Sequence, residues 1–380
     1  MNRGEEVSVS IPNDLLFEIS SRLPLKSIAR FRCVSKQWGS MLRRPDFTEL
    51  FLTRSRARPR LLFAIEGQDN NWSFFSSPQP QNPDEKFSSL VDFHKKFPRE
   101  NLRITCSRRS RKDSCGYASG LIYLPDMWFP KESDTNSVIC NPITGQYWIL
   151  PELTRHISSY SFLGFDPIGK QHKVLFMTNL DSGHKILTLG TGKPKRWRKI
   201  ICPLTHEPVS EGICINGVLY YLAKVGYGMK IACFDVRSEE FKFIDDKSLD
   251  FLDISLINYR GKLGLLRRRH DDNDAIKLSL WVLDDVERKE RSHYVHTLPA
   301  KLAVLVYHNI LSIVGVTCTG EIVFSMVSAC KPFFVYYFNP ERKTLQTVEI
   351  KGVGANYEVF GSSSRVHAFI DHVEDLNLMT

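Results

Sequence analysis

The amino-acid sequence predicts a small all-α module at the N-terminus followed by an all-β domain with the repeat structure of a β-propeller. Three observations indicate this. Apolar residues recur at helical spacing over roughly the first fifty residues. From residue 61 onward they occur in short alternating runs separated by turn residues. Within that second part a pattern recurs about every 45–55 residues, which is the size of one propeller blade.

Length and composition are those of a soluble globular chain with one large and one smaller domain. Of the 380 residues, 42% are hydrophobic and 24% are charged. The nine cysteines are scattered, contain no C-x-x-C pair and have no obvious histidine partner, which argues against a disulfide framework or a zinc site. The N-terminus lacks the apolar stretch of a signal peptide. We therefore expect an intracellular protein, in the nucleus, the cytoplasm or both.

Positive charge is concentrated in the helical part. The chain has a formal net charge of +9. Residues 1–60 contain 12 Lys/Arg and 6 Asp/Glu, so two thirds of the excess lies in less than a sixth of the length. A basic small domain implies an acidic partner, either a protein or a nucleic acid.

Four short helices are predicted between residues 11 and 54. The first begins at residues 12–14 with Asn13 as its cap, and it ends before Pro24, because proline displaces the preceding residue from the helical region. Ser35 is placed to cap the third helix, and Pro45 opens the fourth. The apolar faces of the four helices comprise Leu15, Leu16, Ile19 and Leu23, then Leu25, Ile28 and Phe31, then Val34, Trp38, Met41 and Leu42, and finally Phe47, Leu50 and Phe51.

These side chains are more than such a miniature core requires. Leu15, Leu16, Leu23 and Trp38 in particular are expected to be covered in part, either by a partner or by the rest of this chain. The residue pattern alone does not separate the two possibilities.

The segments 11–19 and 22–38 resemble, nearly residue by residue, the F-box of the large plant F-box family. The continuation through 45–47 and 58–63 resembles the same family where it leads into an F-box-associated domain. One departure is Ser20, where the family usually has leucine. The resemblance implies a tail at 1–10, an F-box at 11–54, a short linker at 55–60 and a kelch-like, substrate-binding domain at 61–380.

The resemblance also implies a function, that of a substrate-recognition subunit of an SCF-type (Skp–cullin–F-box) E3 ubiquitin ligase. The F-box would dock on an acidic Skp-type adaptor, and through it on the cullin and RING subunits, while the C-terminal domain recruits a target protein. Such a subunit is not an enzyme, and its role requires no catalytic residue, metal or cofactor. The residues assigned to the F-box core and the adaptor contact are Pro12, Leu15, Leu16, Ile19, Leu23, Pro24, Ile28, Val34 and Trp38.

The second part is predicted to be all-β, with no amphipathic helix of comparable quality among its strands. The clearest strands are predicted at 60–65, 121–124, 173–177, 218–222, 231–234, 278–283, 321–326 and 333–338. The polar, proline-rich segment 76–83 is predicted to be a flexible loop instead. The most apolar tract, 302–318, is interrupted by His308 and Asn309, which argues against a membrane span.

A repeat organises these strands. A glycine precedes an apolar strand, and 18–23 residues later an Asn or Asp opens a turn, where its side chain can bond the backbone two residues on. The pairs are Gly120 with Asn141, Gly217 with Asp235, Gly261 with Asp284, and Gly320 with Asn339.

The repeat period predicts six or seven blades of the kelch-like kind. A β-sandwich or a two-sheet barrel is the alternative. Residues 61–65 are expected to pair with a late strand and close the ring.

Segments that partly resemble catalytic or metal-binding motifs are interpreted as structural. Residues 190–193 lack the first glycine and the Ser/Thr of a phosphate loop, and His293 with His296 lack the glutamate of a zinc protease motif. The acidic run 271–274 is interpreted as a solvated loop tip.

Basic runs at 95–112, 193–199 and 267–269 are interpreted as solvated faces, with a nuclear localisation signal or an anion-binding surface as alternatives. Two other functions stay open. One is a basic β-propeller that binds nucleic acid or another polyanion, whose affinity would fall steeply with salt. The other is an F-box protein that sequesters a partner without forming a ligase.

Overall fold

The computed structural model describes residues 12–67, 72–80, 88–97, 115–128, 135–151, 153, 159–178, 184–189, 196–245, 249, 254–270, 275–285, 290–353 and 364–376. The chain divides into two compact units. The helical unit comprises Met1–Pro59 together with Val373–Thr380, and the β unit comprises Arg60–His372. The predicted domain bounds, with the F-box at 11–54 and the β domain at 61–380, stay predictions.

Four helices form the helical unit, as predicted: α1 (Asn13–Ser20), α2 (Leu25–Phe31), α3 (Lys36–Met41) and α4 (Pro45–Arg56). Ser35 caps α3 as expected, since its Oγ accepts a hydrogen bond of 3.2 Å from the Trp38 amide. The expected cap of α1 is wrong by one residue. Pro12 holds the N-cap position, and its carbonyl oxygen accepts from the amides of Leu15 and Leu16, both at 3.1 Å.

Aromatic and aliphatic side chains from three of the helices fill the core of this unit. Phe17 packs on Phe47 with ring centroids 5.3 Å apart, and Phe47 lies 6.3 Å from Phe51. The buried apolar residues of α1, α2 and α4, together with one that follows α3, are Phe17, Leu25, Ile28, Leu42, Phe47 and Phe51.

In its described residues the β unit contains six sheets that follow one another along the chain as blades of a propeller. The first blade consists of β1 (Arg60–Glu66), β2 (Trp72–Pro78), β4 (Asp92–Phe97) and β26 (Arg365–His372). The second consists of β5 (Gly116–Ala118), β6 (Leu121–Trp128), β7 (Thr135–Cys140) and β8 (Tyr147–Ile149). The third consists of β9 (Ser159–Asp166), β10 (Gln171–Thr178), β11 (Lys185–Leu189) and β12 (Arg198–Lys199).

The fourth blade contains β13 (Glu207–Pro208), β14 (Ile213–Ile215), β15 (Val218–Val225), β16 (Gly228–Asp235) and β17 (Phe241–Asp245). The fifth contains β18 (Ile254–Tyr259), β19 (Lys262–His270), β20 (Ile276–Asp285) and β21 (Glu290–Thr297). The sixth contains β22 (Leu311–Val316), β23 (Ile322–Met326), β24 (Phe334–Asn339), β25 (Thr344–Lys351) and, parallel to β25, β3 (Ser88–Leu90). The six-bladed propeller confirms the predicted fold class and excludes the sandwich and the barrel; its kelch-like character stays a prediction.

The ring closes through its two ends, as expected from the sequence. Strand β1 pairs antiparallel with β26, with Leu62 opposite Phe369 and Ala64 opposite His367. A first blade built from both ends of the β unit joins those ends in one sheet and so closes the ring.

The repeated glycines lie in tight hairpin turns. Gly120 and Gly217 have φ of +85° and +87°, and the residues before them, Ser119 and Asn216, are also at positive φ. Two-residue hairpins require this conformation at both positions, and glycine adopts it without strain. Gly261 follows the same pattern after Arg260, so the repeat signal is one of turn geometry.

Three of the four repeated Asn/Asp residues form the predicted turns. The side-chain oxygens of Asn141, Asp235 and Asn339 each accept hydrogen bonds from the amides two and three residues further on. Asp284 differs because it lies within β20, where it accepts instead from Lys262 Nζ at 2.7 Å and Ser292 Oγ at 2.6 Å.

Two local expectations are wrong. The β unit contains a helix, α5 (Ala300–Tyr307), which buries Leu302 and Val306 one turn apart and ends before Asn309 at φ +53°. Ser76 and Ser77 lie in the buried strand β2 rather than in a loop. Ser76 Oγ forms hydrogen bonds with Arg60 Nε at 2.8 Å and with His94 Nε2 at 2.7 Å. The Ser76 hydroxyl therefore has partners although the strand is buried.

Among the helices of the described residues, none has the length and hydropathy that a membrane span requires.

Candidate protein-docking surface

Helix α1 presents aliphatic side chains to solvent. Leu15 and Ile19 are 55% and 56% exposed, and their i, i+4 spacing puts them on one face of the helix. Val34, in the turn between α2 and α3, is 65% exposed. Single exposed aliphatic groups are ordinary, whereas two that share one helix face mark a candidate surface for a partner.

The core of the helical unit is complete without these residues. Phe17, on the other side of α1, is buried against Phe47, and the guanidinium of Arg44 lies 5.3 Å from the Phe17 ring centroid. Phe17 is a core residue that the apolar pattern did not single out, because Leu15, Leu16, Phe17 and Ile19 make this short helix apolar on several sides. The exposed pair Leu15 and Ile19 is therefore surplus to internal packing.

The structure distributes the nine predicted core and contact residues over three environments. Ile28 is fully buried, whereas Leu16, Leu23 and Trp38 are half-buried. The exposed ones are Pro12, Leu15, Ile19, Pro24 and Val34.

The two prolines among them have structural roles. Like Pro12 before α1, Pro24 begins a helix, and its carbonyl oxygen accepts from the Ser27 and Ile28 amides at 2.9 and 3.2 Å. Their assignment to an adaptor contact stays a prediction.

The helical segment carries a net positive charge because its basic residues outnumber its acidic ones. Residues 12–59 carry ten Lys/Arg and only four Asp/Glu. Glu18 binds both Arg22, at 2.5 Å, and Arg54, at 2.6 Å, and the hydrogen bond from Arg22 lowers the pKa of Glu18. Asp46 pairs with Arg44 at 2.6 Å.

Several cations are left over from these pairs. Within the described residues, Arg30, Lys36 and Arg56 are exposed and form no ion pair. The arrangement can attract an acidic partner and then hold it by apolar contact.

The β unit also presents exposed apolar side chains, on strands such as β8 with Tyr147 and Ile149 as well as on turns. Tyr227 is fully exposed at the tip of the β15–β16 hairpin, and Ile168 is exposed at the tip of the β9–β10 hairpin. Loop tips of this kind are where propellers bind partners.

The motifs interpreted as structural fall in several places. His293 and His296 lie in strand β21, as expected, and the His293 ring stacks on Trp281 at 4.7 Å. The basic run 267–269 lies in β19, where Arg268 Nη1 is 3.3 Å from the carbonyl oxygen of Val306. Residues 190–193, 271–274 and most of the run 95–112 lie outside the described residues.

The expectation that no cysteine has a histidine partner is wrong. Cys202 Sγ lies 3.7 Å from His206 Nδ1, and His184 completes a group of three potential metal ligands in the β unit. Spacing along the chain does not indicate this group, because His184 belongs to a separate strand connection.

Comparison with known proteins covers the whole chain. The model of the F-box domain matches residues 9–50, and that of the F-box associated beta propeller domain matches residues 60–373. One F-box protein of Arabidopsis thaliana is 50% identical over 385 residues, which is 97% of this chain and 91% of that protein. Another is 49% identical over 402 residues, or 99% of this chain and 85% of that protein.

Similarity to solved structures is low. A structure of prolyl endopeptidases superposes with a TM-score of 0.39 at 12% identity, over 80% of this chain and 42% of that chain.

Proposed function

Since the chain belongs to the family of F-box proteins with an F-box associated beta propeller domain, we propose that it is the substrate-recognition subunit of an SCF-type E3 ubiquitin ligase. In this role the helical unit docks on a Skp-type adaptor, which links it to the cullin and RING subunits. The propeller binds a target protein and presents it for ubiquitination. We place the protein inside the cell, in the nucleus, the cytoplasm or both.

One observation carries the proposal. Leu15 and Ile19 remain exposed on α1 although the core of the helical unit is already filled by Phe17, Phe47 and their neighbours. Full burial of a fully exposed side chain of this kind is favourable by about 1.5–3 kcal/mol, and each of these half-exposed residues would gain roughly half of that in an interface. The exposed Arg30, Lys36 and Arg56 favour an adaptor with an acidic surface.

The proposed mechanism involves no chemistry by this chain. Two linked binding events, one on the adaptor and one on the target, hold the target lysines near the ubiquitin-charged enzyme. Ubiquitin transfer then becomes effectively intramolecular, and its rate rises with the effective concentration of lysine. No catalytic residue and no cofactor is needed for this role.

Co-purification tests the proposal. The full chain should bring down the Skp-type adaptor together with cullin and RING subunits, and Leu16→Ala combined with Trp38→Ala should abolish this. Truncating two side chains at an interface costs on the order of a few kcal/mol in total, so the loss should be plain. Failure of the wild type to bind the adaptor, or equal binding by the double variant, would rule the proposal out.

The target protein is expected to bind to the turns of the propeller, and proximity labelling can identify it. We expect proximity labelling from the full chain to enrich proteins whose abundance rises when the proteasome is inhibited. As a matched control, Tyr227→Ser removes an exposed aromatic side chain at a hairpin tip without touching the core. A target bound near that tip would lose its labelling, while adaptor binding would be retained.

A further inference from the structure

Three residues of the β unit gather their potential metal-binding atoms in one place. The ligand atoms of His184, Cys202 and His206 all lie within 4.8 Å of one another. Cys202 Sγ is 3.7 Å from His206 Nδ1, and the two imidazole centroids are 5.5 Å apart with planes at 69°. The 3.7 Å between Cys202 Sγ and His206 Nδ1 is close to the separation of neighbouring ligands in a tetrahedral site with bonds of about 2.0–2.3 Å, and a side-chain adjustment of about 1 Å brings the third atom to the same separation.

The group connects separate parts of the fold. His184 directly precedes β11 in the third blade, whereas Cys202 and His206 lie between β12 and β13, where the chain enters the fourth blade. An ion held by all three would therefore cross-link two strand connections that are already joined by the β11–β12 pairing and by the hydrogen bond from the Ile200 amide to the His184 carbonyl oxygen.

His184 has a buried nitrogen without a partner. The residue is only 8% exposed, and within the described part of the chain its Nδ1 forms no hydrogen bond. A buried polar atom of this kind costs about 1–3 kcal/mol unless something binds it. Because the ring is next to a thiol and a second imidazole, a metal ion is a suitable partner.

The site binds a metal through neutral imidazoles and a thiolate, which are the metal-binding forms of these side chains. In the free site Cys202 Sγ donates to the carbonyl oxygen of Leu204, so the thiol carries a proton that an incoming ion must displace.

The surroundings of His206 supply the outer contacts that metal-binding histidines need. His206 Nε2 lies 2.7 Å from the Tyr221 hydroxyl, which in turn lies 3.3 Å from Met177 Sδ. With an ion on Nδ1, Nε2–H donates to the Tyr221 oxygen and the hydroxyl donates to Met177, which fixes the ring in the required tautomer.

A backbone oxygen holds both groups in the free protein. The carbonyl oxygen of Leu204 accepts hydrogen bonds from His206 Nδ1 at 2.9 Å and from Cys202 Sγ at 3.2 Å. An ion that binds both groups therefore moves the His206 proton from Nδ1 to Nε2 and displaces the thiol proton.

We propose that His184, Cys202 and His206 bind one structural Zn²⁺ ion that ties the third blade of the propeller to the entry of the fourth. One thiolate and two imidazoles form a borderline-soft ligand set that favours Zn²⁺ over Ca²⁺ or Mg²⁺. Binding forms a Zn–S bond and releases the thiol proton to solvent, without any change of oxidation state. The proposal does not rest on the ligase role, because all three residues belong to the β unit.

The test uses Co²⁺ as a spectroscopic probe for Zn²⁺ on the full chain after chelator treatment. We expect a thiolate-to-cobalt charge-transfer band that saturates at one ion per chain and is bleached by Zn²⁺. Cys202→Ser should remove the band, and His184→Gln should weaken binding by at least tenfold. Cys330→Ser, a half-buried cysteine in the sixth blade, is the matched control and should leave the band unchanged.

Three results would overturn the proposal: no saturable band in the wild type, a full band in folded Cys202→Ser, or loss of the band in Cys330→Ser. If either site variant fails to fold, thermal unfolding of the wild type decides instead. Zn²⁺ should then raise the unfolding midpoint by several degrees relative to chelator, because an ion that binds only the native state stabilises it. An unchanged midpoint would contradict the proposal.

Discussion

The backbone amide of Leu25, the first residue of α2, donates a buried hydrogen bond of 3.1 Å to Oε2 of Glu374. The two residues are 349 positions apart, and both belong to the helical unit. The first amides of a helix lack partners within the helix, so a carboxylate at this position satisfies one of them and also lies at the positive end of the helix dipole. The C-terminal segment is thus a structural part of the helical unit.

The first prediction concerns this contact. Glu374→Ala should lower the free energy of unfolding of the helical unit by about 1–3 kcal/mol, because a buried amide loses a charged acceptor. Glu374→Gln keeps an acceptor oxygen and should cost less. Denaturant unfolding followed by hydrogen exchange of the α2 amides measures both; equal stability of wild type and Glu374→Ala would contradict the assignment.

A second prediction separates the two sides of α1. Phe17→Ala should destabilise the helical unit by about 3–5 kcal/mol, since it leaves a cavity beside Phe47. Leu15→Ala removes an exposed side chain and should change stability by no more than about 0.5 kcal/mol. Thermal unfolding of the two variants checks this difference, and a Leu15→Ala variant as unstable as Phe17→Ala would show that Leu15 belongs to the core.

The hairpin glycines allow a matched comparison within the fourth blade. Gly217 and Gly226 both have positive φ, which costs an L-residue about 1–2 kcal/mol. A Cβ at Gly217 would also lie 3.0 Å from Pro167 Cδ, whereas one at Gly226 would meet nothing within 4 Å. Gly217→Ala should therefore be the more destabilising of the two in denaturant unfolding, and the reverse order would refute this account of the turn.

Buried histidines make stability depend on pH. Burial lowers the pKa of His172 to about 4 and that of His372 to about 3, and the two are 6% and 1% exposed. Below pH 6.5 these histidines bind protons in the unfolded chain but stay neutral in the folded protein. The free energy of unfolding is therefore retained above pH 6.5 and falls as the pH drops toward 4. Each ring should contribute about 1.4 kcal/mol per pH unit.

His172→Gln tests this linkage. Glutamine can still donate to the Ala118 carbonyl oxygen that His172 Nε2 contacts at 3.1 Å, but it does not titrate. We expect a smaller slope of unfolding free energy against pH between 6.5 and 4.5. A slope identical to that of the wild type would show that His172 does not titrate in this range.

Sequence patterns predicted the features that depend on local geometry. The blade repeat was visible because each turn needs positive φ at Gly120, Gly217 or Gly261. The helical unit was visible because its helices are short, amphipathic and separated by prolines. Ring closure by β1 was expected without a residue pattern to support it, because pairing between the two ends of the β unit is not visible in local sequence.

Features that depend on tertiary context were missed. Every apolar residue of α1 could face the core, so periodicity could not distinguish Phe17 from Leu15. The buried Ser76 depends on Arg60 and His94, which reach it from neighbouring strands. The contact between Cys202 and His184 likewise arises from packing of separate strand connections, which spacing in one sequence does not reveal.

The central claim is that the exposed face of α1 binds a Skp-type adaptor, and the most direct test is the affinity of the full chain for that adaptor by calorimetry. Leu15→Asp combined with Ile19→Asp should weaken binding at least ~100-fold, because charges replace the apolar contact. Val304→Asp, an equally exposed aliphatic position on α5 of the β unit, should leave the affinity unchanged. Equal affinity of the double variant and the wild type, or no adaptor binding by the wild type, would contradict the account.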